Sequence, residues 1–180
     1  MNLSRSDLKP TLLPGAPLAA EAGIPQPGRE GDQHLGFKLA HEEFLLAMEP
    51  VREIIMLPTI TFVPRSNAAI EGIFSLRGEI LPVLNLRRML GLSRGQATDT
   101  TRVVILACDE GSFGIVVDNI TEFAWLAPNQ IEALDLNLFG TQYNFLSGVS
   151  KVGDKMRGIL DVPKLIAMFR TGTPDEDNGL

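Results

Sequence analysis

The sequence predicts a mainly β protein made of two small, similar barrels, each closed by a short helix. Three observations carry this reading. Apolar residues recur in short runs bounded by Gly, Pro and Asn rather than at sustained helical spacing. The order of those runs repeats once along the chain. No apolar run approaches the roughly 18–20 residues of a bilayer span, while 44% hydrophobic residues over 180 positions suffice for a real core.

Residues 1–34 hold five prolines, four glycines and no periodicity, and read as a flexible extension. Its apolar letters are broken by proline, so a signal peptide is not expected. HLGFKLA then alternates and leads through HEE into FLLAM, a hairpin. PVREIIM and ITFVP follow, with breaks at Pro58 and Pro64. GIFSLR and EILPVL are joined at Gly78, where a positive φ meets no Cβ penalty. Pro82 has no N–H to give, which predicts a sheet edge or a bulge for EILPVL. NLRRMLGL reads as a short helix with Asn85 as N-cap and Gly91 just past its end. The second half runs RVVILAC, SFGIVVD, ITEFAWL, a longer loop, FLSGVSKV and KMRGIL. It ends in the helix DVPKLIAMF, with Asp161 as cap and Pro163 in the first turn. TGTPDEDNGL, 171–180, is an acidic tail.

The halves echo each other. FLLAMEPVREI (44–54) aligns with FGIVVDNITEF (113–123) at an offset of 69, bringing Glu53 onto Glu122. Beyond the extra loop around APNQIEALDLNLFGTQY the offset is 76, bringing Gly72 onto Gly148 and Asn85 onto Asp161. The order strand, turn, helix is kept throughout, which predicts structural duplication with a junction near 93–101.

Charge and side-chain chemistry exclude several function classes. A net charge of −6 and a pI near 4.9 oppose nucleic-acid binding, which needs a basic stripe, and no aromatic–basic interleaving occurs. The single cysteine, Cys108, has no internal disulfide partner and reads as a small buried hydrophobe in a reducing compartment. His34 and His41 read as solvated surface, with no HExxH or CxxC to make a metal site. No nucleophile elbow, P-loop or dinucleotide fingerprint occurs, so neither enzymatic chemistry nor a cofactor is expected. Asp118 reads as a turn residue and Trp125 as packing.

What remains is surface. Simple alternation puts Val51 and Glu53 on one face and Arg52 and Ile54 on the other. Arg77 and Glu79 flank the glycine bend, where Arg77 would form an exposed ion pair if Glu53 lay beside it. An exposed pair of that kind adds only about 0–1 kcal/mol, whereas an arginine on a rigid apolar edge suits a partner contact.

The segments VREI (51–54), IEGIFSLRGEILPVLNLRRMLGL (70–92), GIVVDNITEF (114–123) and YNFLSGV…ILDVPKLI (143–166) together resemble the CheW-type chemotaxis coupling proteins over roughly residues 35–170. The resemblance implies two five-stranded barrel-like subdomains around a shared core. It further implies a non-enzymatic cytoplasmic adaptor, recruited to membrane-associated arrays. Such adaptors bridge the cytoplasmic tips of chemoreceptors and the regulatory domain of a CheA-type histidine kinase. Arg77 matches the arginine of the family's LRG motif, and Val51 and Glu53 match its V-x-E-I segment. With Glu79, Leu81 and Val83 these are the candidate partner-binding residues. Asn85 stands where the family often has Asp, which preserves capping but not charge. The extension is long for a minimal coupling protein, and no receiver-domain or kinase ATP-binding pattern occurs in these residues. An adaptor for pilus or surface-motility signalling fits the same residues. A small-molecule β-barrel enzyme or a barrel nucleic-acid module would need a convergent pocket or a basic groove.

Overall fold

The computed structural model describes residues 31–67, 69–93, 95–109, 111–135, 143–152 and 155–171. Most of the predicted extension and of the acidic tail lies outside these residues. The strands are β1 (Asp32–Leu39), β2 (Glu42–Ala47), β3 (Val51–Met56), β4 (Ile70–Leu76), β5 (Glu79–Leu84), β6 (Arg102–Cys108), β7 (Gly111–Val117), β8 (Asn119–Leu126), β9 (Ile131–Glu132), β10 (Leu146–Val152) and β11 (Lys155–Leu160). Two helices close the halves, α1 (Leu86–Met89) and α2 (Val162–Thr171).

One sheet has the order β3-β6-β7-β5-β4 and the other β8-β1-β2-β11-β10-β9. Under the sequence repeat, β1 and β2 correspond to β6 and β7, β3 to β8, and β4 and β5 to β10 and β11. The two sheets therefore have equivalent strand orders, with β9 added as a sixth, two-residue strand. The hairpins, however, are exchanged: β1–β2 completes the second barrel and β6–β7 completes the first. The first barrel thus occupies residues 51–117 and is nested inside the second. Segment 93–101 joins α1 to β6 within the first barrel, and the barrels meet instead at 48–50 and at Asp118.

Irregularities are duplicated too. An extra residue, Arg52, interrupts the β3–β6 register, and its repeat counterpart Thr121 interrupts β8–β1. Glu71 and its counterpart Ser147 do the same in β4–β5 and β10–β11. Bulges of this kind bend a strand and tighten its twist, which a small barrel requires. Beside two of them, Gly72 and Gly148 allow a further backbone to approach. A Cβ on Gly72 would lie 2.3 Å from the Thr61 carbonyl oxygen, and one on Gly148 2.5 Å from that of Glu132.

Among the described residues three apolar clusters hold the fold. The largest lies between the barrels and takes Leu35, Phe37, Phe44, Leu46, Val104, Leu106, Phe113 and Ile115 among others. Val103 and Ile105 face the other way, into the first barrel with Phe74, Leu81 and Val83. β6 is thus buried on both faces, which is why RVVILAC reads as an unbroken apolar run. The second barrel holds Leu45, Leu126 and Ile159.

The two interiors differ in chemistry. Where the first barrel has Val103, Ile105, Phe74 and Leu81, the second has His34, Gly36, Ser150 and Arg157 by the repeat alignment. His34 is only 4% exposed, contrary to the solvated surface the sequence suggested, because β1 runs between β8 and β2. Its Nδ1 lies 2.9 Å from the Asp32 carbonyl oxygen. Ser150 and Arg157 face each other across β10–β11, and Ser150 Oγ and Arg157 Nε lack a hydrogen-bond partner among the described residues.

Pro82 is accommodated by register rather than by a free edge. β5 lies between β7 and β4, but its pairing with β7 begins only at Val83. Pro82 faces Ile73, whose N–H and C=O are bonded to Thr61 on the far side, at 2.9 and 2.8 Å. An N–H at position 82 would have no ladder partner, so its absence costs nothing.

Candidate functional site

The turn between β4 and β5 is Leu76–Arg77–Gly78–Glu79, with Leu76 paired to Glu79. Arg77 has φ 51° and Gly78 φ 89°. Positive φ at both central residues is the two-residue hairpin geometry that matches strand twist. Gly or Asn ordinarily occupies its first position, because a Cβ there crowds the following carbonyl. An arginine at that position is locally unfavourable, and its side chain is 78% exposed.

Closure of the barrel brings β3 beside this turn. Arg77 Nη2 donates to Glu53 Oε2 at 3.0 Å, the predicted pair. Arg52 approaches Glu79 at 3.6 Å and also donates to the Ser112 hydroxyl. The bulge at Arg52 makes this possible. It breaks simple alternation, so that Val51 and Ile54 both pack on the inter-barrel core while Arg52 and Glu53 reach the rim. The expected pairing of Val51 with Glu53 on one face is therefore corrected.

Leu81 and Val83 are also corrected. They are 1% and 0% exposed, in the first barrel's interior, and support the rim from behind. The outward residues of the same strand are Ile80, 67% exposed, and the half-buried Pro82. Ile80 and Arg52 are the surface residues that sequence reasoning missed. Knowing that Leu81 faces inward would have found Ile80, because neighbours on a strand face opposite ways.

Below the rim, α1 is fixed at both ends. Asn85 Oδ1 accepts from the Arg88 N–H at 3.0 Å, and Asn85 Nδ2 donates to Glu71. An Asp here could cap but would set a second carboxylate against Glu71. Gly91 N–H bonds the Arg88 carbonyl at 3.1 Å and Leu92 N–H that of Arg87 at 2.8 Å, a Schellman stop. Asp118, expected to serve a turn, does more. It takes both Nε and Nη2 of Arg87 and, at 2.6 Å, the backbone N–H of Ala40. It thereby ties α1 to the β1–β2 turn where the barrels join.

In the second barrel Arg157 pairs with Glu122, the repeat counterpart of Glu53. The same repeat position thus serves a surface pair in one barrel and reaches a buried arginine in the other. A Cβ on Gly36 would come within 3.0 Å of Glu122 Cγ, so the missing side chain makes room for that approach. Away from the rim, burial, then the charge of Glu42 and a hydrogen bond to it, raises the Tyr143 hydroxyl above the usual tyrosine range. Among the described residues no cluster of His, Cys, Asp or Glu is arranged to hold a metal ion, and no helix is long and apolar enough to cross a membrane.

The family model for the CheW-like domain matches residues 33–170. The chain belongs to the CheW family. It is 27% identical over 137 residues to the chemotaxis protein CheW of Klebsiella aerogenes, an alignment covering 76% of this chain and 82% of that one. It is 27% identical over 148 residues to CheW of Helicobacter pylori, covering 82% and 89%. Among solved structures, the scaffolding protein TtCheW from Thermoanaerobacter tengcongensis superposes with a TM-score of 0.67 at 28% identity, covering 77% of this chain and 86% of that one. The mainly β, two-barrel architecture is thus that of the CheW family, whose members serve as chemosensory adaptors.

Proposed function

We propose that this CheW-family chain couples the cytoplasmic tips of chemoreceptors to the regulatory domain of a CheA-type histidine kinase, and that the rim of the first barrel is its receptor-coupling contact. The observation that carries the rim assignment is Arg77. A residue held at positive φ and largely exposed contributes little to stability, and strain of that kind gathers where a side chain is needed for contact. Glu53 orients the guanidinium, while Glu79 and Arg52 form a second, crossed pair. Exposed Ile80 adds apolar area beside the charges, and arginine beside apolar surface is a frequent hot-spot composition. Val51, Leu81 and Val83 hold the edge in shape from the core side.

An adaptor of this kind does no chemistry. It influences the kinase only if its affinity for receptor or kinase differs between the kinase's active and inactive states. Capture of purified receptor-tip and kinase regulatory-domain fragments from the same organism tests the reading. The wild-type chain should retain both, and folded Arg77→Ala should lose receptor more than kinase. Retention of neither fragment by the wild type would remove the adaptor reading, and normal receptor capture by Arg77→Ala would remove the rim.

A further inference from the structure

The repeat relates two concave surfaces, one beside each helix, and among the described residues only the first is crossed by a covering segment. Beside α1, Val116, Asp118, Asn85 and Arg87 line the concavity, and residues after Leu92 run across it toward β6. Arg87 Nη1 donates to the Ser93 carbonyl at 2.9 Å, and Thr100 Oγ1 donates to the Asp118 carbonyl at 2.9 Å. A Cβ on Gly95 would lie 2.6 Å from Arg87 Cζ, so the segment is laid directly on the guanidinium.

The counterparts beside α2 are Ala47, Glu49, Asp161 and Pro163, and they line an open groove of about 1000 Å³ floored by residues such as Ile159 and Leu160. Glu49 stands in the place of Asp118, but Pro163 replaces Arg87. Asp109, in the place of Ala40, adds a second carboxylate. Both acids are exposed, and among the described residues neither forms an ion pair. Among the described residues this groove therefore repeats the acid and the apolar floor of its twin, without the guanidinium or a covering segment. An occupant must bring an extended, small-residue chain and a positive charge.

The direct sequence counterpart of segment 93–101 follows α2, but it carries Asp175, Glu176 and Asp177. Its charge has the same sign as Glu49 and Asp109 and does not complement them. The other chain end has the required chemistry. Residues 5–20, RSDLKPTLLPGAPLAA, combine Arg5 and Lys9 with Leu, Ala and Pro and a single acid. They precede β1, which begins at Asp32, and His34 of β1 itself lines the groove. The eleven residues between Ala20 and Asp32 would reach about 17–20 Å as a random coil, which would give an effective concentration on the order of millimolar.

We propose that residues 5–20 dock in the groove beside α2, with Arg5 and Lys9 facing Glu49 and Asp109, as an intramolecular cover. Pro50, which lines the groove, is followed directly by Val51 at the start of β3. Docking there sets the extension next to the strand that carries Glu53 of the rim.

Cys108 lines the same groove and is the single cysteine, so its alkylation rate by iodoacetamide in the full chain reports coverage. Reversing the segment's charges (Arg5→Glu with Lys9→Glu) should speed labelling about fivefold. So should Glu49→Lys with Asp109→Lys. Combining all four changes should return the rate toward wild type, because the charges are then exchanged rather than lost. Equal rates in the wild type and the Arg5→Glu/Lys9→Glu chain would overturn the proposal. Failure of the four-fold variant to slow relative to the Glu49→Lys/Asp109→Lys chain would do so as well.

Discussion

Replacing Arg77 by Asn separates contact from stability. Position 77 has φ 51°, a conformation that costs an ordinary L residue about 1–2 kcal/mol and that Asn adopts readily. The lost pair with Glu53 is worth about 0–1 kcal/mol, since the arginine is mostly exposed. Asn-Gly is moreover a preferred sequence for this turn. The balance lies between no change and a gain of roughly 1–2 kcal/mol, and the melting temperature should hold or rise by about 2–4 °C per kcal/mol. Receptor affinity should move the other way. Removing a charge-assisted hydrogen bond at a contact costs about 1.5–3 kcal/mol, or roughly ten- to hundredfold in Kd. The assay is paired: urea unfolding with an unchanged m-value, and titration of a receptor-tip fragment against the same preparation. A destabilisation beyond about 2 kcal/mol would show that Arg77 is structural, and an unchanged Kd would refute its role as a contact.

Two further outcomes follow from other parts of the molecule. Ser150→Ala removes a fully buried hydroxyl that has no partner among the described residues, and it should raise stability by about 1 kcal/mol in urea unfolding; a loss would reveal a hydrogen bond those residues do not supply. Tyr143 is the single tyrosine, so its ultraviolet phenolate titration is read without overlap, and the midpoint should lie above about 10 and fall in Glu42→Gln. Because the neutral phenol is the favoured folded form, its contribution to stability is whole below the unfolded value near 10 and is lost as pH rises through the folded one.

Local features of this fold are legible in the sequence. The N-caps Asn85 and Asp161, the Gly91 stop and the tight turn at Gly78 all depend on neighbouring residues, and all stand where their chemistry puts them. The Glu53–Arg77 pair could be posed from the sequence but not placed, because β3 and β4 are opposite ends of one sheet and meet only when the barrel closes. The bulges were not legible. A single extra residue at Arg52 has no signature of its own, yet it changes which neighbours of Val51 reach the rim. For the same reason the faces of Leu81 and Ile80 were undetermined: alternation groups residues but does not say which group is buried. His34 was misjudged because its burial depends on β8, some 85 residues later in the chain. Least legible was the exchange of hairpins, since both halves carry the same pattern and either could have kept its own.

That nesting sets an order of assembly during synthesis. Every strand of the first barrel has been made once Val117 has left the ribosome, so its sheet can be completed early. The β1–β2 hairpin is made before any of them but meets its outer neighbours last, β8 on one side and β11 on the other. At about 5–20 residues per second, the 114 residues separating Phe44 from its partner Gly158 take several seconds to appear. For that interval Leu35, Phe37, Phe44 and Leu46 have only the inner barrel to lie against. The oldest part of the nascent chain thus waits on the newest, and a chain stopped near Asp118 would leave this hairpin as a one-sided, adhesive edge.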